Sequence, residues 1–325
     1  MIFPSPKQDQ TITLPAIADR TFGDASVPLA AAAGSRLPVS FSIVAGPASV
    51  SNNVLSLLGA GTVTVQASQS GNDFFNPAPP VDVSFNVAKA DQAIAFGAVP
   101  DKSAGDPAFA LNATASSGLP VYFDIVSGPA VLDTNAVTLL GGGVVTVSAW
   151  QPGNSNFNAA ATVQRSFNVA KLAQTISFGA LSRQTAGDAP FPLSANASSE
   201  LPVSFAVVSG PAELSWNIVT LTGAGTVVMR ASQTGNAMYA PAANVDQAFD
   251  VAPPNHTLAN PQRLSDGSFQ MVFYGMTGSN YTLLASTNLA NWEPIASFVA
   301  TNSPAPLCDP AATNYHQRFY RIVAP

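Results

Sequence analysis

Leu37-Pro38-Val39-Ser40-Phe41 opens a stretch that occurs three times in this chain and continues through Gly46-Pro47-Ala48 and Gly59-Ala60-Gly61-Thr62-Val63 to Gln69-Ser70-Gly71-Asn72. The second and third copies open with Leu119-Pro120-Val121-Tyr122-Phe123 and Leu201-Pro202-Val203-Ser204-Phe205, so equivalent residues lie 82 positions apart. A unit of this length exceeds the roughly 20–50 residues of a solenoid repeat. Because it is long enough to bury a core of its own, we predict three independent folding units in tandem.

Apolar and polar residues alternate with a period of two within each copy. In the first copy, Val39, Phe41 and Ile43 alternate with Ser40 and Ser42. Gly and Pro interrupt the alternation repeatedly, and the 27 prolines of the chain would break most helices. This pattern is typical of a small β-sandwich, with about seven strands per repeat.

The repeats and the prolines divide the chain into segments. The joints between repeats contain neither Gly nor Pro, which limits flexing, whereas prolines mark a linker after the third repeat. The predicted architecture is all-β and elongated, with three β-sandwich repeats followed by a smaller C-terminal β-sandwich domain. The predicted segments are a lead-in (1–7), repeat 1 (8–89), repeat 2 (90–171), repeat 3 (172–252), a proline-containing linker (253–262) and the C-terminal β domain (263–325).

Composition and charge exclude several classes of partner. Only 9% of residues are charged, and the formal net charge of −6 argues against nucleic acid, which requires a basic face. No apolar run approaches the ~18 residues that would span a bilayer, so we expect no membrane insertion. Cys308 is the single cysteine and cannot form an intramolecular disulfide. The default expectation is a monomer.

The motifs of the repeats, taken in order, carry a resemblance to a known family. They are Gly23-Asp24, Leu37-Pro38-Val39-Ser40-Phe41, Gly46-Pro47-Ala48, Gly59-Ala60-Gly61-Thr62-Val63 and Phe85-Asn86-Val87-Ala88-Lys89 with their copies. Residues 8–252 resemble bacterial immunoglobulin-like repeats (the Big or MBG type), which occur in tandem in large secreted or surface proteins. Residues 267–321 look like a small domain that ends many such proteins. The resemblance implies immunoglobulin-like sandwiches in an exported, non-enzymatic stalk or adhesive module.

The N-terminus departs from what the resemblance implies. Residues 1–7 lack the basic start and apolar segment of a signal peptide. We therefore expect an extracellular or cell-surface parent protein of which this chain is a fragment.

The residues that most often carry catalysis are sparse and isolated. His256 lies in the proline linker and His316 near the end, and neither has a second His, Cys or carboxylate at ligand spacing. Cys308 has no basic residue nearby in sequence to activate its thiol. Gly59-Ala60-Gly61 lacks the Lys-Ser/Thr of a phosphate loop and indicates a hairpin turn. We expect no enzymatic activity and no catalytic residue.

Gly-Asp pairs recur in one loop of each repeat and are weak candidates for calcium. Their carboxylates belong to Asp24, Asp106 and Asp188. Calcium requires six to eight oxygen ligands, whereas each loop offers one or two carboxylates. Asp and Gly are also ordinary turn residues, so the expectation is no cofactor, with calcium as the weaker alternative.

Aromatic residues are the candidate ligand contacts. Trp150 aligns with Ser68 and Ser232, and Trp216 aligns with Asn52 and Thr134, so both tryptophans occupy positions that are polar in the sister repeats. In the C-terminal domain the candidates are Trp292, Tyr281 and Tyr320. A solvent-facing aromatic ring is a suitable anchor for a sugar ring or a protein, and the alternative is packing within the domain.

Two functions follow. The first is a non-enzymatic structural and adhesive module, a semi-rigid spacer of immunoglobulin-like domains. The alternative is a binding module that recognises a polysaccharide or a fibrous, host or matrix surface protein through Trp150, Trp216 and Trp292.

Overall fold

The computed structural model describes residues 6–252 and 255–324, and the predicted all-β fold of tandem repeats is confirmed. The chain forms two compact units that meet in sequence between Lys171 and Leu172. The first unit contains repeats 1 and 2, and the second contains repeat 3 and the C-terminal domain. A 3₁₀ helix, Pro310–Asn314, is the one helical element among the described residues, so the described part contains no helix that could span a bilayer.

Repeat 1 is built from short strands. They are β1 (Ile12–Thr13), β2 (Arg20–Thr21), β3 (Val27–Pro28), β4 (Ala32–Ala33), β5 (Ser40–Ala45), β6 (Ala48–Ser51), β7 (Val54–Leu57), β8 (Gly61–Gln69) and β9 (Ala78–Ala88). A four-stranded sheet has the order β2-β9-β8-β5, a three-stranded sheet has the order β3-β7-β6, and β1 pairs with β4. Only β2 and β9 run parallel among these pairs.

The core of repeat 1 follows from the alternation in the sequence. On β8, Val63 and Val65 are fully buried while Thr62 faces solvent. Leu55 from the three-stranded sheet and Phe85 from β9 complete this core. At roughly 25 cal/mol per Å² of apolar surface removed from water, such side chains supply most of the stabilisation of a small sandwich.

Repeats 2 and 3 copy this topology strand for strand. Repeat 2 contains β10 (Ile94–Phe96), β11 (Lys102–Ser103), β12 (Phe109–Ala110), β13 (Ala113–Ala115), β14 (Tyr122–Ser127), β15 (Ala130–Asp133), β16 (Ala136–Leu139), β17 (Gly143–Trp150) and β18 (Val163–Ala170). Repeat 3 contains β19 (Ile176–Phe178), β20 (Gln184–Thr185), β21 (Phe191–Pro192), β22 (Ala195–Ala197), β23 (Ser204–Ser209), β24 (Ala212–Ser215), β25 (Ile218–Leu221), β26 (Gly225–Ser232) and β27 (Val245–Ala252).

The sequence pattern under-counted the strands of a repeat. It predicted about seven strands, and the structure has nine in repeat 1. β2 lies just before the Gly23-Asp24 pair, β6 follows Gly46-Pro47 directly, and β3 and β4, which are close in sequence, belong to different sheets. Two-residue strands are too short for an alternation to be recognised, because their pairing depends on the neighbouring strand.

Gly46 shows why the repeat keeps glycine between β5 and β6. Its φ is +96°, and a Cβ built there would lie 2.2 Å from the carbonyl oxygen of Thr62. Only glycine tolerates both this conformation and this close approach.

A buried amide network recurs in each repeat. In repeat 1, Gln10 Nε2 donates to Gln69 Oε1 at 2.6 Å and to the carbonyl oxygen of Asn76 at 2.7 Å. The Ser35 hydroxyl donates to Gln10 Oε1. Equivalent bonds join Gln92 to Gln151 and Gln174 to Gln233. The network satisfies polar groups that the sandwich removes from water.

The C-terminal domain is a small sandwich of two three-stranded sheets. Its strands are β28 (Thr257–Arg263), β29 (Phe269–Tyr274), β30 (Asn280–Ser286), β31 (Glu293–Val299), β32 (Ala305–Asp309) and β33 (Phe319–Val323). The sheet orders are β28-β29-β32 and β31-β30-β33. Phe273, Tyr281, Ala300 and Ile322 form the buried core between them.

The first strand of this domain lies in the segment predicted as a linker. β28 covers residues 257–263, whereas the linker was predicted over 253–262, of which 253–254 lie outside the described residues. Pro261 is accommodated because the pairing of β28 with β29 shifts register between Ala259 and Gln262. A bulge of this kind is one of the few places in a sheet that tolerate proline.

Candidate binding surfaces

Two aromatic side chains pair on the outer face of the four-stranded sheet of repeat 2. Tyr122 on β14 lies directly opposite Trp150 on β17, and their ring centroids are 5.0 Å apart at an interplanar angle of 30°. We call this pair the aromatic platform. Tyr122 is 47% exposed and Trp150 is half-buried.

The alternation of β17 places Trp150 on the outer face, as predicted. Ala149 beside it is fully buried, so the next side chain points away from the core. The prediction missed Tyr122, although the same alignment could have found it, because Tyr122 aligns with Ser40 and Ser204. Trp150 is less exposed than predicted because the ring of Tyr122 packs against it.

Two further features distinguish the platform from the same position in the sister repeats. Ser148, the preceding outward residue on β17, is only 6% exposed, whereas Gln66 and Arg230 at this position are half-buried. Trp150 Nε1 is buried and has no hydrogen-bond partner among the described residues. An unpaired buried N–H costs about 1–3 kcal/mol, so the sheet tolerates a penalty to hold this ring.

Trp216 is presented in a different way. It lies at the tip of the hairpin between β24 and β25, it is 95% exposed, and its φ is +59°. Asn52 and Thr134 occupy this position in the sister repeats with φ values of 51° and 58°. The turn therefore imposes the left-handed conformation, which is unfavourable for a bulky side chain such as Trp. The turn presents Trp216 as a single exposed ring, and the ligand contact that the sequence suggested for it stays a prediction.

The candidate aromatics of the C-terminal domain separate into core and surface. Tyr281 is 1% exposed and packs 4.6 Å from Phe273 between ring centroids. It therefore belongs to the core and has no surface to offer a ligand, which corrects the prediction for this residue. The alternation of β30 could not reveal which of its faces lies inward.

Trp292 and Tyr320 are half-buried and make polar contacts. Trp292 Nε1 donates to the carbonyl oxygen of Leu289 at 3.1 Å, and the guanidinium of Arg321 lies 4.3 Å from the Trp292 ring centroid. Tyr320 stacks on Phe269 at 5.0 Å, and its hydroxyl donates to Asp309 Oδ2 at 2.9 Å. Burial and this hydrogen bond raise the pKa of Tyr320 above its ordinary value.

The Gly-Asp loops use their carboxylates within the turn. Asp24 Oδ2 accepts the backbone N–H of Thr21 at 2.9 Å, and Asp106 and Asp188 repeat this contact. Among the described residues no group of three or more His, Cys, Asp or Glu side chains is arranged to hold a metal ion. The calcium alternative stays a prediction. The hydrogen bonds show that these carboxylates accept backbone N–H groups within their own turns.

The other reactive side chains of the described chain belong to His256, Cys308 and His316. His256 Nε2 is 3.1 Å from the carbonyl oxygen of Ile322, and its ring packs on Tyr281. Cys308 is exposed on β32. His316 and Arg318 line one hollow of the C-terminal domain.

No protein-family model matches the chain, and a search of curated proteins finds no match. Solved structures give matches at low identity. They include Drosophila N-cadherin EC1-4, with 13% identity, 87% of this chain and 86% of that chain covered, and a TM-score of 0.23.

Another match is a tetra-tandem repeat in the extending region of a large adhesion protein. It has 16% identity and a TM-score of 0.36, and the match covers 92% of this chain and 89% of that chain. A third match is SGBP-B of the Bacteroides ovatus mixed-linkage glucan utilization locus, solved in complex with a mixed-linkage heptasaccharide. It has 13% identity and a TM-score of 0.19, and the match covers 97% of this chain and 99% of that chain. The matched structures thus include tandem repeats of adhesion proteins.

Proposed function

We propose that this chain is a non-enzymatic adhesive module of an extracellular or cell-surface protein, in which bacterial immunoglobulin-like repeats form a spacer and the aromatic platform binds a polysaccharide. The observation that carries the proposal is the Tyr122–Trp150 pair on an outer sheet face where both sister repeats have serine. The exposed part of these packed rings offers apolar surface to the C–H face of a sugar, and the Tyr122 hydroxyl offers a polar group to the sugar hydroxyls.

The contacts between repeats 1 and 2 support the spacer part of the proposal. Phe22 of repeat 1 packs edge-on against Phe157 of repeat 2 at 5.4 Å. The backbone N–H of Ala60 donates to Asn156 Oδ1 at 3.1 Å, and Lys89 Nζ donates to the carbonyl oxygen of Asn154 at 2.7 Å. These contacts from separate loops restrain this joint.

The sister repeats supply the test variant. Tyr122→Ser with Trp150→Ser gives repeat 2 the serines that repeats 1 and 3 carry at these positions. We expect the variant to fold normally and to lose retention on the insoluble polysaccharide that holds the full chain, among cellulose, chitin and cell-wall fragments. The unfolding temperature of the variant would be measured beside its retention, so that a loss of binding is separated from a loss of folding.

A graft and a control make the test specific. Ser204→Tyr with Ser232→Trp, introduced into the serine variant, should restore retention because repeat 3 has the same scaffold. Trp216→Asn removes an exposed Trp and should leave retention unchanged. Full retention by the serine variant, or no retention of the original chain on any of these polysaccharides, would contradict the platform and leave a spacer without this binding surface.

A further inference from the structure

Two adjacent hollows of the C-terminal domain share Tyr315 and Arg318 in their walls, and we call them together the arginine groove. The first hollow has a volume of 180 Å³, and the second has a volume of 240 Å³. Asn288, Asn291 and Glu293 also line the first. The second is further lined by Arg263, His316, Gln317 and Tyr320, among others.

Two contacts, an ion pair and a ring contact, hold the guanidinium of Arg318 in place. Its side chain is 9% exposed, and its Nη1 donates to Asp309 Oδ2 at 2.7 Å. The Tyr315 ring centroid lies 4.3 Å from the guanidinium carbon. Asp309 is 3% exposed and also accepts from the Tyr320 hydroxyl and from the backbone N–H of Ala311. The guanidinium is therefore pre-oriented before any ligand arrives.

Most N–H donors of this guanidinium have no hydrogen-bond partner among the described residues. Of its five N–H groups, the one bond to Asp309 is the only hydrogen bond found within the described residues. The other nitrogens are not among the buried unpaired atoms of the described chain, so each keeps a small solvent-accessible area, and Arg318 lines both hollows. A fixed fork of N–H donors matches the geometry of a carboxylate.

Charge favours an anion in the second hollow. Its walls carry Arg263, Arg318 and His316, and no carboxylate side chain lines it. Glu293 lines the first hollow instead. Asp309 pairs with Arg318, so Arg263 supplies the arginine charge of this hollow that no ion pair of the described residues offsets.

We propose that the arginine groove binds an acidic polysaccharide, with the carboxylate of a uronic acid residue on Arg318 and Arg263. Each hollow is smaller than the roughly 300–1,000 Å³ of a drug-sized site, so each fits about one sugar residue. Tyr315 is 38% exposed between the hollows and offers its ring to a sugar face. Side-chain amides in both hollows, Asn291 and Gln317, can bond hydroxyl groups.

Oligogalacturonates of defined length and the same chains fully methyl-esterified form the matched pair of probes. The ester keeps every sugar ring but removes the carboxylate charge. We expect the full chain to bind the acid form, to bind the ester at least tenfold more weakly, and to lose affinity as salt rises. Equal binding of the two forms, or binding of neither, would overturn the proposal.

Three variants locate the site. Arg263→Gln should weaken acid binding by roughly five- to tenfold, because the hollow loses the arginine that is not paired with a carboxylate. Arg321→Gln removes the same charge from a residue that stacks on Trp292 and lines neither hollow, so it should change little. Glu293→Gln should tighten binding.

Equal losses in the two arginine variants would overturn the site. Tighter binding of short peptides with a free C-terminal carboxylate than of oligogalacturonates would replace the proposed ligand by a peptide. The serine variant of the aromatic platform should bind oligogalacturonate normally. A failure of the arginine groove to bind acid and a failure of the platform to bind polysaccharide are therefore separate results.

Discussion

Two ion pairs in the described part of the chain have the same 2.7 Å distance between nitrogen and oxygen but very different surroundings. Arg230 and Asp246 lie on the outer face of repeat 3, with side chains 41% and 40% exposed. Arg318 and Asp309 lie in the C-terminal domain at 9% and 3%. Distance alone therefore says little about an ion pair, because burial decides what happens when one partner is removed.

The repeats and the C-terminal domain also bury polar groups of different kinds. Each repeat uses a neutral amide network, such as Gln92 with Gln151, at 2.6 Å. The C-terminal domain uses the charged set of Asp309, Arg318 and Tyr320. A neutral network leaves stability independent of pH, whereas the charged set links stability to protonation and keeps spare donors at the surface.

The largest expected effect is that of Asp309→Ala. It leaves the guanidinium of Arg318 buried without its carboxylate, and breaking a buried pair in this way costs about 3–5 kcal/mol. Hydrogen exchange of the amides in β29 and β30 would report the C-terminal domain separately from the repeats. Asp309→Asn keeps the shape and should cost less. An exchange rate unchanged in the alanine variant would refute the importance of burial here.

The next effect is that of Gln151→Ala. It removes the acceptor of Gln92 and of the backbone N–H of Gly153, and unsatisfied groups of this kind cost about 1–3 kcal/mol. The loss should be the same at acid and neutral pH, because no member of the network is charged. Gln164→Ala on the exposed face is the control and should stay within about 0.5 kcal/mol. A pH-dependent loss would break the contrast with the C-terminal domain.

A smaller effect should appear at alkaline pH in the C-terminal domain. The folded pKa of Tyr320 is raised above its ordinary value of 10.0, first by burial and then by the bond to Asp309. The phenol therefore contributes stability that is present below pH 10.0 and is lost as pH rises through the folded pKa. Tyr320→Phe should remove this dependence. Ultraviolet titration of tyrosinate, compared between the two proteins, measures the ionisation of Tyr320.

The smallest effect is expected for the exposed pair. The hydrogen bond from Arg230 holds the pKa of Asp246 below its ordinary value of 3.8, so any contribution is present above that pH and is lost as pH falls through the folded value. Solvent screens both side chains. Arg230→Gln should leave the unfolding temperature of repeat 3 unchanged within error at physiological salt. A loss of stability comparable to that expected for Asp309→Ala would show that the distance between the charges matters more than their burial.

Sequence alone predicted the class of fold and the period of 82 residues, because alternation and turn residues are local signals. It also predicted that Trp150 faces outward, because the sister repeats carry serine there, and the burial of Ala149 beside it agrees. It did not find β2, whose pairing is set by β9 at the far end of the repeat, or β6, which forms a short hairpin with β7 directly after Gly46-Pro47. The serines at 40 and 204 contained the signal for Tyr122, but only the register of β14 and β17 places the two rings together.

In the C-terminal domain, without a sister copy for comparison, the sequence determined that strands would form and that aromatic and charged residues lie near its end. It left open which residues face inward, because an alternating strand has two faces and only the opposing sheet selects one. Tertiary packing placed Tyr281 in the core and Tyr315 at the surface. It also brought Asp309 under Arg318, because the carboxylate and the guanidinium lower each other's cost of burial only when they are in contact.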